Sequence, residues 1–278
     1  MTASAYATLG GEPVYYETGG ETGGSGTPAV LIHGVGGGNS GVQWRLNTEV
    51  LAKSHRLFVL DLPGFGRSPA RAKPYTGELY TNVVREFLTQ VVGEPAAVIA
   101  SSLGAAYTVN IAAASPNLVT KMLLVSPTGL DRLVAPPNPG LFDVFARTPA
   151  GPVLSTWLRG EVGVNFFLLE QVYLDRSRVT PEVTRLYVDN LASADKEYPV
   201  YSFISQLLNA EVEETWPKTA GIPTRIVWGS DDLNTPASGA AAFVRLRPEV
   251  RVDVLKGRAI PNDESAPAFN EIALSFLR

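Results

Sequence analysis

The run Ala100-Ser101-Ser102-Leu103-Gly104 decides how this chain is read. The apolar residues Ala97 to Ala100 lead straight into it, and a run of small helix-forming residues, Ala105 to Ala114, leads out. A strand that turns directly into a helix bends so tightly that the residues two before and two after the tip must be nearly without side chains. Ala100 and Gly104 satisfy that demand. Ser102 then stands at the tip with its hydroxyl over the sheet edge, and the unpaired N–H of Leu103 at the helix start stabilises negative charge developing on a substrate oxygen. The plainer reading is a strand followed by an Ala-rich helix that a serine caps, since Ser is a favoured N-cap. The neighbouring segments favour the first.

Short apolar runs rich in β-branched residues or leucine recur at Ala29–Ile32, Leu57–Leu60, Met122–Val125, Arg225–Val227 and Val252–Leu255. Val14-Tyr15-Tyr16 reads as an edge strand, and the Gly/Thr/Ser stretch from Gly19 to Thr27 as a loose hairpin loop. Between most of the runs lie stretches of helical spacing. Val83, Val84, Phe87, Leu88 and Val91 form one stripe, and Phe269, Ile272, Ala273, Phe276 and Leu277 another. Strands alternating with such helices predict an α/β fold, a mostly parallel sheet covered on both faces. From about Asp131 to Pro217 the rhythm breaks: Pro136-Pro137 and Pro139 open a helical, aromatic stretch. It reads as a helical cap, residues 131–217, inserted into a core formed by residues 1–130 and 218–278.

Two further segments join the Ser102 turn. Leu31-Ile32-His33-Gly34-Val35-Gly36-Gly37-Gly38 ends a strand in HG and a glycine loop, and Asp61-Leu62-Pro63-Gly64-Phe65-Gly66-Arg67-Ser68 follows the next strand. In this order the set resembles the α/β-hydrolase superfamily from about Ala29 to the C-terminus, the cap apart. The resemblance implies an eight-stranded, mostly parallel sheet flanked by helices, Ser102 as nucleophile, and an oxyanion hole from the N–H groups of Val35 and Leu103. His33 would be structural, orienting the loop. The glycines at 36–38 lack the lysine of a phosphate-binding loop.

Ile226-Val227-Trp228-Gly229-Ser230-Asp231-Asp232-Leu233-Asn234-Thr235-Pro236 matches the family's strand-then-acid segment, which makes Asp232 the triad acid and Asp231 its solvent-facing neighbour. A polar loop capping the helix begun by Pro236 is a compatible reading. The family next carries Gly-His-x-Pro-x-x-Glu. Here the segment is Gly257-Arg258-Ala259-Ile260-Pro261-Asn262-Asp263-Glu264, with proline and glutamate in register, so Ala259 takes the histidine position and Arg258 the glycine. The chain's two histidines are His33, in the loop, and His55, expected in a solvated surface turn. Lys256 and Asp263 are not expected to turn inward as substitutes. A serine hydroxyl is barely nucleophilic without a base to take its proton. Losing the triad histidine costs on the order of 10⁶ in turnover, while binding and the oxyanion hole retain about 10³–10⁴ over water.

Three readings of that gap stand at the level of sequence: a hydrolase whose histidine was replaced, in nature or by design; a cofactor-free cyclase, lyase or isomerase using the same pocket; and a non-catalytic ligand-binding protein. Arg258 in place of glycine weighs toward natural divergence. The rest of the composition narrows the partner. The chain has no cysteine, which excludes disulfides, thiolate metal sites and a cysteine nucleophile. A net charge of −4 without a clustered Lys/Arg stripe argues against nucleic acid and anionic membrane. Met1 to Ala7 has no basic-then-apolar signature, so the cytoplasm is the expected address. The aromatic cap points to an uncharged, apolar small molecule of ester, lactone or related carbonyl type, and the family resemblance implies neither cofactor nor metal.

Overall fold

The structure is a computed structural model describing residues 1–20, 27–130 and 136–278. In chain order the strands are β1 Ala3–Leu9, β2 Glu12–Gly19, β3 Pro28–Ile32, β4 Arg56–Leu60, β5 Ala96–Ser101, β6 Val119–Val125, β7 Thr224–Gly229 and β8 Arg251–Leu255. They form one eight-stranded sheet in the order β1-β2-β4-β3-β5-β6-β7-β8. Only β1–β2 and β2–β4 pair antiparallel; β4, β3, β5, β6, β7 and β8 run parallel. The α-helices are α1 Thr48–Leu51, α2 Gly77–Glu86, α3 Leu103–Ala114, α4 Pro139–Arg147, α5 Ala150–Arg159, α6 Glu161–Phe167, α7 Pro181–Asn190, α8 Glu197–Ile204, α9 Ala240–Leu246, α10 Pro261–Glu264 and α11 Ala266–Leu277.

The central strands are apolar throughout because both faces are covered. Alternate residues of β3 and β5 point to opposite faces, as the period of two requires. Val30, Ile32, Val98 and Ala100 join a core that includes Val83 and Val84 of α2 and Val109 of α3, whereas Ala29, Leu31, Ala97 and Ile99 join Trp44 and the α11 residues Phe269 and Ala273. Both helical stripes read from the sequence therefore face the sheet. A third core lies inside the segment between β6 and β7, where Val164, Leu168, Tyr173, Val183 and Tyr187 pack together with Ile260 from beyond β8. No helix among the described residues is long and apolar enough to cross a membrane.

Two expectations about the first strands need correction. The edge strand is β1, not Val14-Tyr15-Tyr16, which lies in the second strand. β1 escaped notice because six of its seven residues are exposed or half-exposed and only Leu9 is buried, so it carries almost no apolar signal. The stretch Gly19–Thr27, whose residues 21–26 lie outside the described ones, joins β2 to β3, which are not neighbours; the hairpin is β1–β2, turning at Gly10-Gly11.

Candidate active site

β5 delivers Ser102 to the end of the sheet, and α3 begins at the next residue. Ser102 has φ 52° and ψ −122°, a conformation that costs an L-residue of order 1–3 kcal/mol and persists only where its surroundings enforce it. Its N–H donates to the Val125 carbonyl at 2.9 Å, which ties the turn to the end of β6. Gly104 explains the small residue after the tip: a Cβ there would lie 2.7 Å from the His33 carbonyl oxygen. The turn is thus the elbow read from the sequence rather than a capped helix, and Ser102 makes no side-chain cap.

A cavity of about 370 Å³ opens over this turn. Ser102, Leu103, Val35, Asp232 and Ala259 all line it, so the five positions the resemblance assigns to the triad and the oxyanion hole meet in one place. Leu103 opens α3, where the first N–H groups have no carbonyl in a preceding turn. On the carboxylate side, Asp232 is buried and held by its own turn, which leaves Oδ2 with room for one further donor. Oδ1 accepts from the N–H groups of Asn234 and Thr235, both at 3.0 Å, and Oδ2 accepts from the Thr235 hydroxyl at 2.8 Å. Asp231 is exposed, as expected.

Neither histidine bridges Ser102 and Asp232. His33 Nε2 accepts the Leu62 N–H at 2.9 Å, which places the ring proton on Nδ1, and Nδ1 donates to the Gly34 carbonyl at 2.8 Å. Burial lowers its pKa below the usual imidazole value, so the ring is a neutral strut between the loops after β3 and β4. His55 is not the solvated residue expected: it is 6% exposed, with the Gly20 backbone packed against its carbonyl. It sits at the start of a parallel strand, at the opposite end of the sheet from Ser102. Asp263 does turn inward, against expectation, but toward Arg45 Nε at 2.9 Å; its burial raises the carboxyl pKa while Arg45 opposes the rise. Lys256 is exposed.

Several residues that hold the site carry no sequence signal. Gln43 Oε1 accepts the Gly34 N–H at 2.9 Å and so orients the backbone that leads to Val35. Asn262 Nδ2 donates to the Gln43 carbonyl at 2.8 Å, and Asn47 Nδ2 donates to the Asn262 carbonyl at 3.0 Å, so the segment after β8 braces the glycine loop. These amides are isolated polar residues in helical or loop stretches, and only the fold brings them together. The glycines have a packing reason. A Cβ on Gly38, whose φ is +77°, would lie 2.5 Å from the Tyr187 carbonyl oxygen of α7.

Three aromatic residues from the segment between β6 and β7, Phe167, Tyr187 and Phe203, line the cavity together with Val172. The other aromatics there serve packing or the surface: Tyr173 and Tyr201 are buried, and the exposed Trp157 and Phe166 lie against each other at 5.8 Å. Polar lining comes from Ser126, Gln206, Asn39 and others, and among the described residues the lining contains no arginine or lysine and Asp232 is its one charged residue.

A strained serine at a strand-to-helix turn, a facing glycine loop and a buried aspartate one strand beyond β6 define a serine-hydrolase-like α/β protein. The chain belongs to the alpha/beta hydrolase family, whose sequence model matches residues 29–272. Among curated relatives it is 29% identical over 285 residues to the dihydrolipoyllysine-residue acetyltransferase component of the acetoin cleaving system of Pseudomonas putida, covering 98% of this chain and 68% of that protein. It is 25% identical over 265 residues to 2-hydroxy-6-oxo-6-phenylhexa-2,4-dienoate hydrolase of Burkholderia cepacia, covering 91% and 88%. Among solved structures, the enol-lactonase from Burkholderia xenovorans LB400 matches with a TM-score of 0.79 at 23% identity over 98% of this chain and 99% of the other. That last likeness is one of fold.

Proposed function

We propose that this protein binds an uncharged ester, lactone or related carbonyl compound over Ser102, beneath the helical segment between β6 and β7 acting as a cap, and that its hydrolysis is slow because Ala259 stands where the base should be. The observation that carries the reading is the shared lining of one cavity by Ser102, Val35, Leu103, Asp232 and Ala259. Two relatives point by name to carbonyl compounds, one to a 6-oxo dienoate, which is a carboxylate, and the other to an enol lactone. Because the described lining offers no cation to hold a carboxylate, we assign a neutral ligand, nearer the lactone than the dienoate.

In this reading the substrate carbonyl oxygen sits between the N–H groups of Val35 and Leu103, with its carbon above the Ser102 hydroxyl. Attack transfers the hydroxyl proton away as the Ser–carbon bond forms, and the proton must return to the leaving oxygen. A methyl group at 259 can do neither. Oxyanion stabilisation and positioning remain, which supports retention of the carbonyl compound with little turnover.

Replacing Ala259→His and measuring p-nitrophenyl butyrate hydrolysis tests the proposal. The variant is expected to gain at least about 10³-fold in kcat/KM, and Ser102→Ala in that background is expected to abolish the gain. Rapid Ser102-dependent turnover by the unaltered chain would overturn the reading. Tight ligand retention with no gain in the histidine variant would instead identify a non-catalytic binding protein.

A further inference from the structure

Four non-glycine residues among those described have a left-handed backbone: Ser102, Ser126, Asp195 and Gln206. All but Asp195 line the cavity. Such conformations cost an L-residue roughly 1–2 kcal/mol and concentrate where function demands a fixed direction. The elbow accounts for Ser102, and the end of α8 accounts for the backbone of Gln206: with φ 62° it follows the C-cap Ser205, its N–H donates to the Phe203 carbonyl at 3.0 Å and the Leu207 N–H donates to the Ser202 carbonyl at 2.9 Å, so the helix terminus fixes its direction.

The turn is held firmly to the same helix that starts at the elbow. The Tyr107 hydroxyl of α3 donates to the Leu208 carbonyl at 2.7 Å, and the Gly77 N–H donates to the Leu207 carbonyl at 3.0 Å. The Gln206 side chain is held too. Asn209 Nδ2 donates to Gln206 Oε1 at 2.8 Å, which fixes the sense of the amide and makes Nε2 its remaining polar atom. Among the described residues Nε2 makes no hydrogen bond, although its two N–H groups belong to a residue that lines the cavity.

We infer that Gln206 is a specificity-determining residue whose Nε2 donates a hydrogen bond to a second, neutral oxygen of the ligand, remote from the carbonyl over Ser102. The inference rests on the proposed carbonyl site and narrows its substrates to uncharged compounds carrying two oxygen functions. The helix end and the Asn209 bond present the amide before the ligand arrives, so little conformational freedom is lost on binding. Phe167, Val172 and Ile260, which line the same cavity, take the apolar remainder.

Titration calorimetry on the full chain tests this with ethyl hexanoate and its oxo derivatives, ethyl 4-oxohexanoate and ethyl 5-oxohexanoate. At least one oxo ester is expected to bind about threefold to tenfold more tightly than ethyl hexanoate, the worth of one neutral hydrogen bond. Gln206→Met, similar in length but without a donor, is expected to erase that preference while ethyl hexanoate binds as before. Gln206→Glu keeps the acceptor for Asn209, presents an anionic oxygen in place of the donor, and is expected to erase the preference as well. It also serves if the methionine variant fails to fold. A preference that survives both substitutions, or none in the unaltered chain, overturns the inference and leaves the carbonyl site standing. Failure of ethyl hexanoate itself to bind would overturn the carbonyl site and the inference together.

Discussion

Arg258 Nη1 donates to the Glu170 carbonyl at 2.8 Å, joining the segment beyond β8 to the end of the helical turn that follows α6. The same nitrogen reaches the Leu169 carbonyl at 3.1 Å. Glu264 completes the junction, its Oε2 accepting the Arg258 N–H at 2.6 Å and its Oε1 the N–H groups of Leu174 and Asp175 at 2.9 and 3.0 Å. The arginine at the family's glycine position thus fastens the proposed cap, the segment between β6 and β7, beside Ala259. Arg258→Gly is expected to lower global stability by about 1–2 kcal/mol, since hydrogen bonds from a charged donor are worth about 1.5–3 kcal/mol and a buried, unpartnered Nε is removed with them. Hydrogen exchange at Leu174 and Asp175 should accelerate about tenfold. Unchanged protection there would show that the cap is held by its apolar core alone.

Ser126 carries two liabilities: φ is 42°, and its buried Oγ has no hydrogen-bond partner among the described residues. Glycine removes both and adds about 0.5–1 kcal/mol of chain entropy to the unfolded state. The balance predicts that Ser126→Gly raises stability by about 1 kcal/mol in urea unfolding. A loss of that size would mean that the hydroxyl or its Cβ is doing packing work that the geometry does not show.

Lys196 is a buried lysine ahead of α8, donating from Nζ to the carbonyls of Gly66 and Ser68 at 2.8 and 2.7 Å. Burial pulls its pKa down from 10.5 to about 8, with the Asp61 carboxylate opposing the shift and Arg159 adding to it. Below pH 8 the amine is protonated in folded and unfolded chains alike. Between pH 8 and 10.5 the unfolded chain holds more protons, so stability rises with pH across that window, by on the order of 3 kcal/mol at most. Subtracting the urea-denaturation profile of Lys196→Met from that of the unaltered chain should isolate this rise. A flat difference would mean that the lysine is protonated throughout.

Most of the framework was legible because its causes are local. The apolar runs that became β3 to β8 are short, β-branched and bounded by turn residues, and the elbow needs small residues at fixed offsets, so composition and spacing alone point to them. β1 was illegible because an exposed edge strand has almost no burial to advertise. The candidate site divides the same way. Ser102, Val35, Leu103 and Asp232 stand at motif positions, whereas Gln43, Asn47 and Asn262 act through contacts between residues far apart in the chain, which no window of sequence contains. His55 was misjudged for a related reason: a turn residue is ordinarily solvated, and only the fold brings Gly20 against it and buries it.

The backbone on either side of residue 259 is fixed without help from any side chain at that position. The Gly257 carbonyl accepts the Asp231 N–H at 3.0 Å, the Arg258 N–H is taken by Glu264, and on the far side the Ile260 carbonyl accepts the Asp263 N–H at 2.9 Å. An imidazole introduced there would inherit a settled main-chain path, already bonded to the turn that bears the carboxylate. On the reading proposed for residue 259, placing a base there asks for no remodelling of the surrounding architecture.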